Sequence, residues 1–262
     1  MDLIYWIIVF SLLGGVLSVL AAAFFLLLPG TFRDALLPHF VSYAIGALLG
    51  AAFLALLPHS IADSSSVDFH RIGLTVLAGI LGFFLLEKMV LWRHCHSNHC
   101  EAHTPSEAFE KGSKHSTVTL ILVGDGLHNF VDGVLIAAAF MTDIHLGVVT
   151  SIAVATHEIP QEVGDFAILL HSGMSRMKAF VMNILSSMTT LLGALLAYFS
   201  LSGAADAIPY ILAIAASSFI YIAMADLLPG LHQRTQLKET VQQLLLIIFG
   251  VVTIYVAHSS LH

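Results

Sequence analysis

The chain contains two charged segments in hydrophobic surroundings, Gly124-Asp-Gly-Leu-His-Asn-Phe-Val-Asp-Gly133 and Thr156-His-Glu-Ile-Pro-Gln-Glu-Val-Gly-Asp165. Each lies within a stretch that is long enough to cross a membrane. An ionisable side chain at the centre of a membrane span costs about 2.5–3.5 kcal/mol on insertion scales, so such residues face a bundle interior and mark functional sites. The two segments therefore predict two neighbouring helices whose polar faces meet.

The composition excludes a soluble globular protein. Of 262 residues, 58% are hydrophobic and only 10% are charged, whereas soluble domains carry about 25% charged residues. A membrane-spanning helix needs roughly 20 apolar residues. The sequence predicts an all-α integral membrane protein, one transmembrane domain over residues 1–262, with eight spans near 3–28, 39–59, 72–92, 118–141, 146–171, 179–200, 208–229 and 240–258.

The basic residues predict the orientation of the chain. Arg71 alone follows an even-numbered span. The others flank the loops after odd-numbered spans: Arg33, Lys88, Arg93, Lys111, Lys114, Arg176, Lys178, Arg234 and Lys238. Because cytoplasmic loops are enriched in Lys and Arg, we expect these loops in the cytoplasm and both termini outside. The compact length favours a bacterial inner membrane.

Residues 93–117 are predicted to form a mobile cytoplasmic loop. A cluster within it carries candidate loop ligands: His94, Cys95, His96, His99, Cys100 and His103. Thiolate and imidazole groups bind Zn²⁺, and a reducing compartment disfavours a disulfide. The spacing is not that of a folded zinc finger, which favours a dynamic site of low specificity; the alternative is a solvated polar loop.

The similar sequences at the ends of two spans predict an internal repeat. Span 2 ends Ala55-Leu-Leu-Pro-His59 and span 7 ends Asp226-Leu-Leu-Pro-Gly-Leu-His232, in opposite predicted directions. This pattern predicts a 3+2+3 inverted repeat around spans 4 and 5, as in many transporters. The alternative is that Leu-Leu-Pro is a common helix stop.

Each charged segment forms one polar stripe when wound as an α-helix. At about 100° per residue, the span 4 stripe covers an arc of about 100° and the span 5 stripe about 140°. The candidates are Asp125, His128, Asn129 and Asp132 on span 4, and His157, Glu158, Gln161, Glu162 and Asp165 on span 5. Imidazole suits Zn, Cu, Fe and Ni, and carboxylates extend the range to Mn and Mg. Two such stripes predict a divalent-metal site; structural hydrogen bonding is the alternative. His59, at the end of span 2, is a further pathway candidate.

His128-Asn-Phe-Val-Asp-Gly133 and His157-Glu-Ile-Pro-Gln-Glu-Val-Gly-Asp-Phe-Ala-Ile-Leu169 resemble the paired metal-binding motifs of the ZIP (Zrt/Irt-like) divalent metal transporters. The most similar subfamily has His-Glu-Ile-Pro-His-Glu in its fifth span. The resemblance implies that His128, Asn129, Asp132, His157, Glu158 and Gln161 are metal ligands and that Glu162 matches the subfamily's final glutamate. It also implies transport toward the cytoplasm, Zn²⁺ as the principal substrate, and a homodimer.

The chain departs from that pattern in ways that reduce ligand charge. Gln161 stands where the subfamily has His, Ala51 and Ala55 stand where it often has Asp and His, and span 6 offers Thr189 and Thr190 where some bacterial members carry Glu. A second metal position would therefore be weak. The choice among Zn²⁺, Fe²⁺, Mn²⁺, Cd²⁺ and Co²⁺ stays open.

Two other functions are alternatives to a carrier. His157-Glu158 resembles the start of a His-Glu-x-x-His zinc hydrolase motif, but Gln161 replaces its second His, and Pro160 distorts the helix on which that motif depends. A channel or sensor without alternating access is the other alternative. We expect no catalytic residues, no bound cofactor and no nucleic-acid partner; the expected partners are the metal ion and the lipid bilayer.

Overall fold

The computed structural model describes residues 2–62, 68–92, 114–232 and 236–260, and their long segments are all α-helical. We number eight helices in chain order. They are α1 (Leu3–Gly14 and Val16–Phe25), α2 (Gly30–Gly50, Ala51–Leu56 and Leu57–Ala62), α3 (Phe69–Trp92), α4 (Lys114–Thr142), α5 (Ile144–His171), α6 (Arg176–Leu201), α7 (Ile208–Tyr221, Ile222–Leu227 and Leu228–His232) and α8 (Leu237–Ser260).

The predicted all-α membrane fold is confirmed. Seven of the helical stretches in the described ranges are both long and apolar enough to cross a membrane. The remaining helix, α5, has 28 residues, which suffices in length; its polar stripe lowers its mean hydropathy. Burying those polar groups in a membrane span costs free energy, so their presence on α5 indicates a functional site.

Two helix boundaries differ from the sequence prediction. Helix α2 begins at Gly30 rather than near residue 39, because it continues through Pro38. Helix α4 begins at Lys114, so the end of the predicted 93–117 loop is helical. Helix α1 is interrupted at Gly15, where a Cβ would lie 2.7 Å from the backbone oxygen of Ser187 on α6; the break lets the two backbones approach.

Helices α2 and α7 share a local distortion, which fits the predicted repeat. In each, a π-helical turn, Ala51–Leu56 or Ile222–Leu227, runs directly into Leu-Leu-Pro. Proline has no N–H and its ring clashes with the carbonyl four residues back, and the wider turn relieves that clash. The same distortion at matching positions is expected when two halves of one chain are related by an internal repeat.

Helix pairing follows the same symmetry. Helix α2 packs along α8 while α7 packs along α3, and α1 packs on α5 while α6 packs on α4. Exchanging the first three helices for the last three, and α4 for α5, reproduces this pattern. The arrangement is that expected of a 3+2+3 inverted repeat, with the two polar helices at its centre.

Candidate metal centre

Four side chains of α4 and α5 bring their ligand atoms together at the centre of the bundle. The Nε2 atoms of His128 and His157 are 3.2 Å apart. His157 Nε2 lies 3.3 Å from Asp132 Oδ2, and His128 Nε2 lies 3.3 Å from Glu158 Oε1. The other two nitrogen–oxygen distances in this group are 3.8 Å. We call these four residues the central cluster.

The spacing in the central cluster suits a divalent ion. Zn²⁺ binds imidazole nitrogen at about 2.0–2.1 Å and carboxylate oxygen at about 2.0–2.2 Å, so a tetrahedral site separates its ligand atoms by roughly 3.3–3.5 Å. The measured separations of 3.2–3.8 Å bracket that range. Five of the six ligand–ligand distances of a tetrahedron are thus close to those of a zinc site.

The carboxylates of the central cluster lack hydrogen-bond partners although they are buried. Asp132 and Glu158 are fully buried, and all four of their side-chain oxygens are without a hydrogen bond. A buried charge is expensive unless it is paired or binds a metal. Two carboxylates and two neutral imidazoles around a divalent cation have a formal charge of zero. A bound divalent ion would therefore remove the free-energy cost of the buried carboxylate charges.

The tautomer of His157 leaves a lone pair for that ion. Its Nδ1 lies 3.1 Å from the backbone oxygen of Ala153. A carbonyl oxygen only accepts, so Nδ1 donates, and in the neutral imidazole the unprotonated Nε2 faces the cluster. A second hydrogen bond that fixes the ring in this way is typical of metal-ligating histidines.

A second group of carboxylates lies beside the first. Ligand oxygens of Asp125, Glu158 and Glu162 lie within 4.8 Å of one another. Ser186 donates a hydrogen bond to Asp125, and Ser187 donates to Glu162 Oε1 over 2.9 Å. Glu162 Oε2 is buried without a hydrogen bond. The group shares Glu158 with the central cluster and has only oxygen ligands.

Asn129, also expected to be a ligand, has its amide engaged. Its Nδ2 donates to Asp125 Oδ1 over 2.8 Å, and its Oδ1 accepts from Thr190 Oγ1 over 2.7 Å. The amide therefore links α4 to α6. In this structure Asn129 supports Asp125 and lies outside the central cluster.

The sequence reasoning missed the contribution of α6. Its buried polar residues Asn183, Ser186, Ser187 and Thr190 follow the i, i+3, i+4, i+7 spacing of one helical face. Three of them donate hydrogen bonds to stripe residues of α4 or α5. That spacing is visible in the sequence, but of these four residues only Thr190 was a candidate there, as a replacement for a glutamate.

A cavity of about 300 Å³ reaches the central cluster from one side. His128 and Gln161 line it, together with Glu87, Tyr221 and Asp226. His128 is 21% exposed, whereas His157, Asp132 and Glu158 are at most 1% exposed. The cavity thus makes His128 the accessible member of the cluster.

That cavity extends toward the basic face, as the positions of Glu87 and Asp226 near the ends of α3 and α7 indicate. We define the basic face by the basic residues at the corresponding helix ends: Arg33, Lys88, Lys114, Arg176, Lys178 and Lys238. Glu87 precedes Lys88 near the end of α3, and Tyr221 donates a hydrogen bond to Glu87. Toward the other face, Phe140, Leu212 and Phe219 are almost fully buried in the main hydrophobic core. Within the described residues, the cavity therefore lies on the basic-face side of the central cluster, and packed side chains lie on its opposite side.

The other sequence candidates lie elsewhere. His59 is near the opposite face, with its Nδ1 2.9 Å from the backbone oxygen of Ala55 and its ring 5.2 Å from that of His258. Asp165 is half-buried on α5, beyond Glu162. The six loop candidates at 94–103 lie outside the described residues.

Comparison with known proteins identifies relatives over most of the chain. Residues 92–258 match the family described as ZIP Zinc transporter. The zinc transporter ZIP13 of Pongo abelii is 33% identical over 228 residues, covering 82% of this chain and 65% of that protein. The zinc transporter ZIP10 of Homo sapiens is 41% identical over 140 residues, covering 53% of this chain and 17% of that protein.

A third relative carries a broader name. The metal cation symporter ZIP14 of Mus musculus is 40% identical over 133 residues, covering 49% of this chain and 27% of that protein. This chain thus spans less than two thirds of the length of each of these three relatives.

Proposed function

The chain belongs to the ZIP zinc transporter family, and we propose that it carries a divalent metal ion across the membrane, with Zn²⁺ as the principal substrate. The observation that carries this proposal is the central cluster: two imidazoles and two buried carboxylates without hydrogen bonds, 3.2–3.8 Å apart. His128, Asp132, His157 and Glu158 are the proposed ligands. Gln161, on the cavity wall, is the proposed contact for an ion that enters or leaves through His128.

The second carboxylate group is proposed as a subsidiary position. Asp125, Glu158 and Glu162 offer oxygen ligands only, and two of the three residues accept hydrogen bonds from α6. Hard oxygen ligands hold Zn²⁺ less selectively than a mixed set with imidazole. An ion there would be bound more weakly, as the reduced ligand charge of the sequence predicts.

One-sided access favours alternating access over an open channel. Within the described residues, the cavity extends from the central cluster toward the basic face, while packed side chains lie on the other side. A channel would need continuous access from both faces. A carrier whose α4 and α5 move against the remaining helices would expose the same cluster to each face in turn.

We propose that the basic face is cytoplasmic, following the charge distribution, and that transport runs toward it. An inner bacterial membrane and a homodimer stay predictions from the sequence and its resemblance. The hydrolase alternative has no support: its motif needs a second His where Gln161 stands, and the curated relatives are named transporters.

The test is uptake of ⁶⁵Zn²⁺ into proteoliposomes that contain the purified protein. We expect zinc-dependent flux in the wild type and its loss in Asp132→Ala and His157→Ala, each of which removes a ligand. The matched controls are Asp206→Ala and His39→Ala, whose residues are exposed. Unimpaired flux in both cluster variants would refute the assignment of the site.

The same vesicles determine the substrate range. Unlabelled Fe²⁺, Mn²⁺, Cd²⁺ and Co²⁺ are added in turn as competitors of ⁶⁵Zn²⁺. Ligand softness predicts that Cd²⁺ and Co²⁺ compete better than Mn²⁺ at a site with two imidazoles. Stronger competition by Mn²⁺ would mean that the oxygen-only group limits transport.

A further inference from the structure

A groove of about 600 Å³ lies away from the central cluster, between the basic-face ends of α1, α5 and α6. Its walls are apolar: Leu26 comes from the end of α1, Phe166 and Leu170 from α5, and Phe180 from α6. The rings of Phe166 and Phe180 stack with centroids 6.3 Å apart. A volume of this size is within the range of ligand pockets.

Two arginines, Arg33 and Arg176, line the same groove. Arg33 is in the first turn of α2, and Arg176 is the first residue of α6. Within the described residues neither arginine has an ion pair, and the Nε of Arg33 is buried without a hydrogen bond. Burying an arginine nitrogen without a hydrogen-bond acceptor costs free energy. An anion bound in the groove would supply that acceptor.

The helix ends reinforce that requirement. Both arginines sit at helix N-termini, where the partial positive charge of the helix dipole adds to their own. No side chain caps the N-terminus of α2. Positively charged and hydrogen-bond-donating groups that can bind an anion therefore lie together at the mouth of a groove whose interior is apolar.

We propose that this groove binds an anionic phospholipid, with the phosphate held by Arg33 and Arg176 and an acyl chain along Phe166, Leu170 and Phe180. A soluble anion would leave the apolar wall uncovered, and a neutral lipid would leave the arginines without a net counter-charge. Basic pockets between transmembrane helices on the cytoplasmic side are typical sites for anionic headgroups. The proposal does not depend on the metal substrate.

The test compares lipid binding to the purified full-length protein in detergent by native mass spectrometry, with phosphatidylglycerol and phosphatidylcholine as probes. One basic residue near a membrane surface contributes enough to change anionic-lipid affinity about 5-fold, and two about 30-fold. We expect phosphatidylglycerol to be preferred and Arg33→Gln/Arg176→Gln to reduce its affinity by up to about 30-fold. Arg33→Lys/Arg176→Lys should keep most of the preference.

The matched control is Arg71→Gln, which removes an exposed arginine from the opposite face and should leave the preference unchanged. Soluble glycerol phosphate is the second arm, and it should not displace the lipid. Displacement by glycerol phosphate would mean a free-phosphate site. An equal loss in Arg71→Gln would mean general charge attraction, and either result overturns the proposal.

A measurement on the wild type keeps the test independent of variant folding. Phosphatidylglycerol with a diazirine near the carbonyl end of one acyl chain is crosslinked to the protein, and the labelled peptides are mapped. We expect labels concentrated in residues 166–180. Labels spread evenly over exposed helices such as α3 and α8 would overturn the proposal.

Discussion

Replacing Asp132 by asparagine separates a metal site from a structural polar cluster, because the two interpretations predict opposite effects on the metal-free protein. Asp132 is fully buried, and its two oxygens lack hydrogen bonds. If the cluster holds metal through neutral imidazoles, the Asp132 carboxylate has no opposite charge beside it in the metal-free protein, and Asp132→Asn should leave the stability of that form unchanged or raise it. If the carboxylate instead forms a structural ion pair with His157, breaking that pair should cost about 3–5 kcal/mol.

The effect on zinc affinity follows from the charge that is lost. Unit charges 4 Å apart attract by about 4 kcal/mol at an effective dielectric constant of about 20, and a divalent ion in direct contact attracts more strongly. Desolvation and the remaining amide oxygen offset part of this loss. We therefore expect at least about 100-fold weaker binding, or about 2.8 kcal/mol.

Thermal unfolding in detergent measures both effects in one experiment. At a Zn²⁺ concentration 100 times the wild-type Kd, binding stabilises the wild type by about 2.7 kcal/mol, whereas a variant with 100-fold weaker affinity gains about 0.4 kcal/mol. The matched control, Asp206→Asn, makes the same chemical change at an exposed position and should keep the full zinc-induced shift. Asp132→Asn with a lower melting temperature in chelator and an undiminished zinc shift would refute the metal-site interpretation.

Two further predictions concern helix packing and the His/Cys-rich segment. Gly133→Ala places a Cβ against the backbone oxygen of Thr190 on α6, so we expect a loss of about 1–3 kcal/mol in unfolding stability; Gly126→Ala on the same helix, with its nearest atom at 3.9 Å, is the control, and equal losses would contradict the close crossing. Deleting residues 94–103 should change the apparent Km or the regulation of zinc uptake while basal transport in proteoliposomes persists, and abolished uptake with normal membrane insertion would show that the segment is part of the pathway.

The helix boundaries illustrate where sequence reasoning reaches its limit. A proline usually marks a helix end, yet α2 continues through Pro38 and accommodates Pro58 with a π-helical turn. The turn is possible because neighbouring helices pack around it. Such compensation depends on contacts between distant parts of the chain, which local propensity does not contain.

The sequence by itself determined the membrane class, the positions of the spans and the polar faces of α4 and α5. Hydropathy and helical periodicity are local properties, so they can be read from neighbouring residues. The periodicity also identified His128, Asp132, His157 and Glu158 as candidates, since each follows from its place on a stripe.

Only the tertiary structure decided which of those atoms converge. The approach of α4 to α6 at Gly133, and the contact of α4 with α5, fix distances of 3.2–3.8 Å in the central cluster. The same packing turns the amide of Asn129 toward Thr190 and leaves a cavity on one side of the cluster. It also gathers Arg33 and Arg176, distant in sequence, at one groove. The physical reason is that helix crossing and rotation are set by side-chain fit across interfaces, which no single stripe encodes.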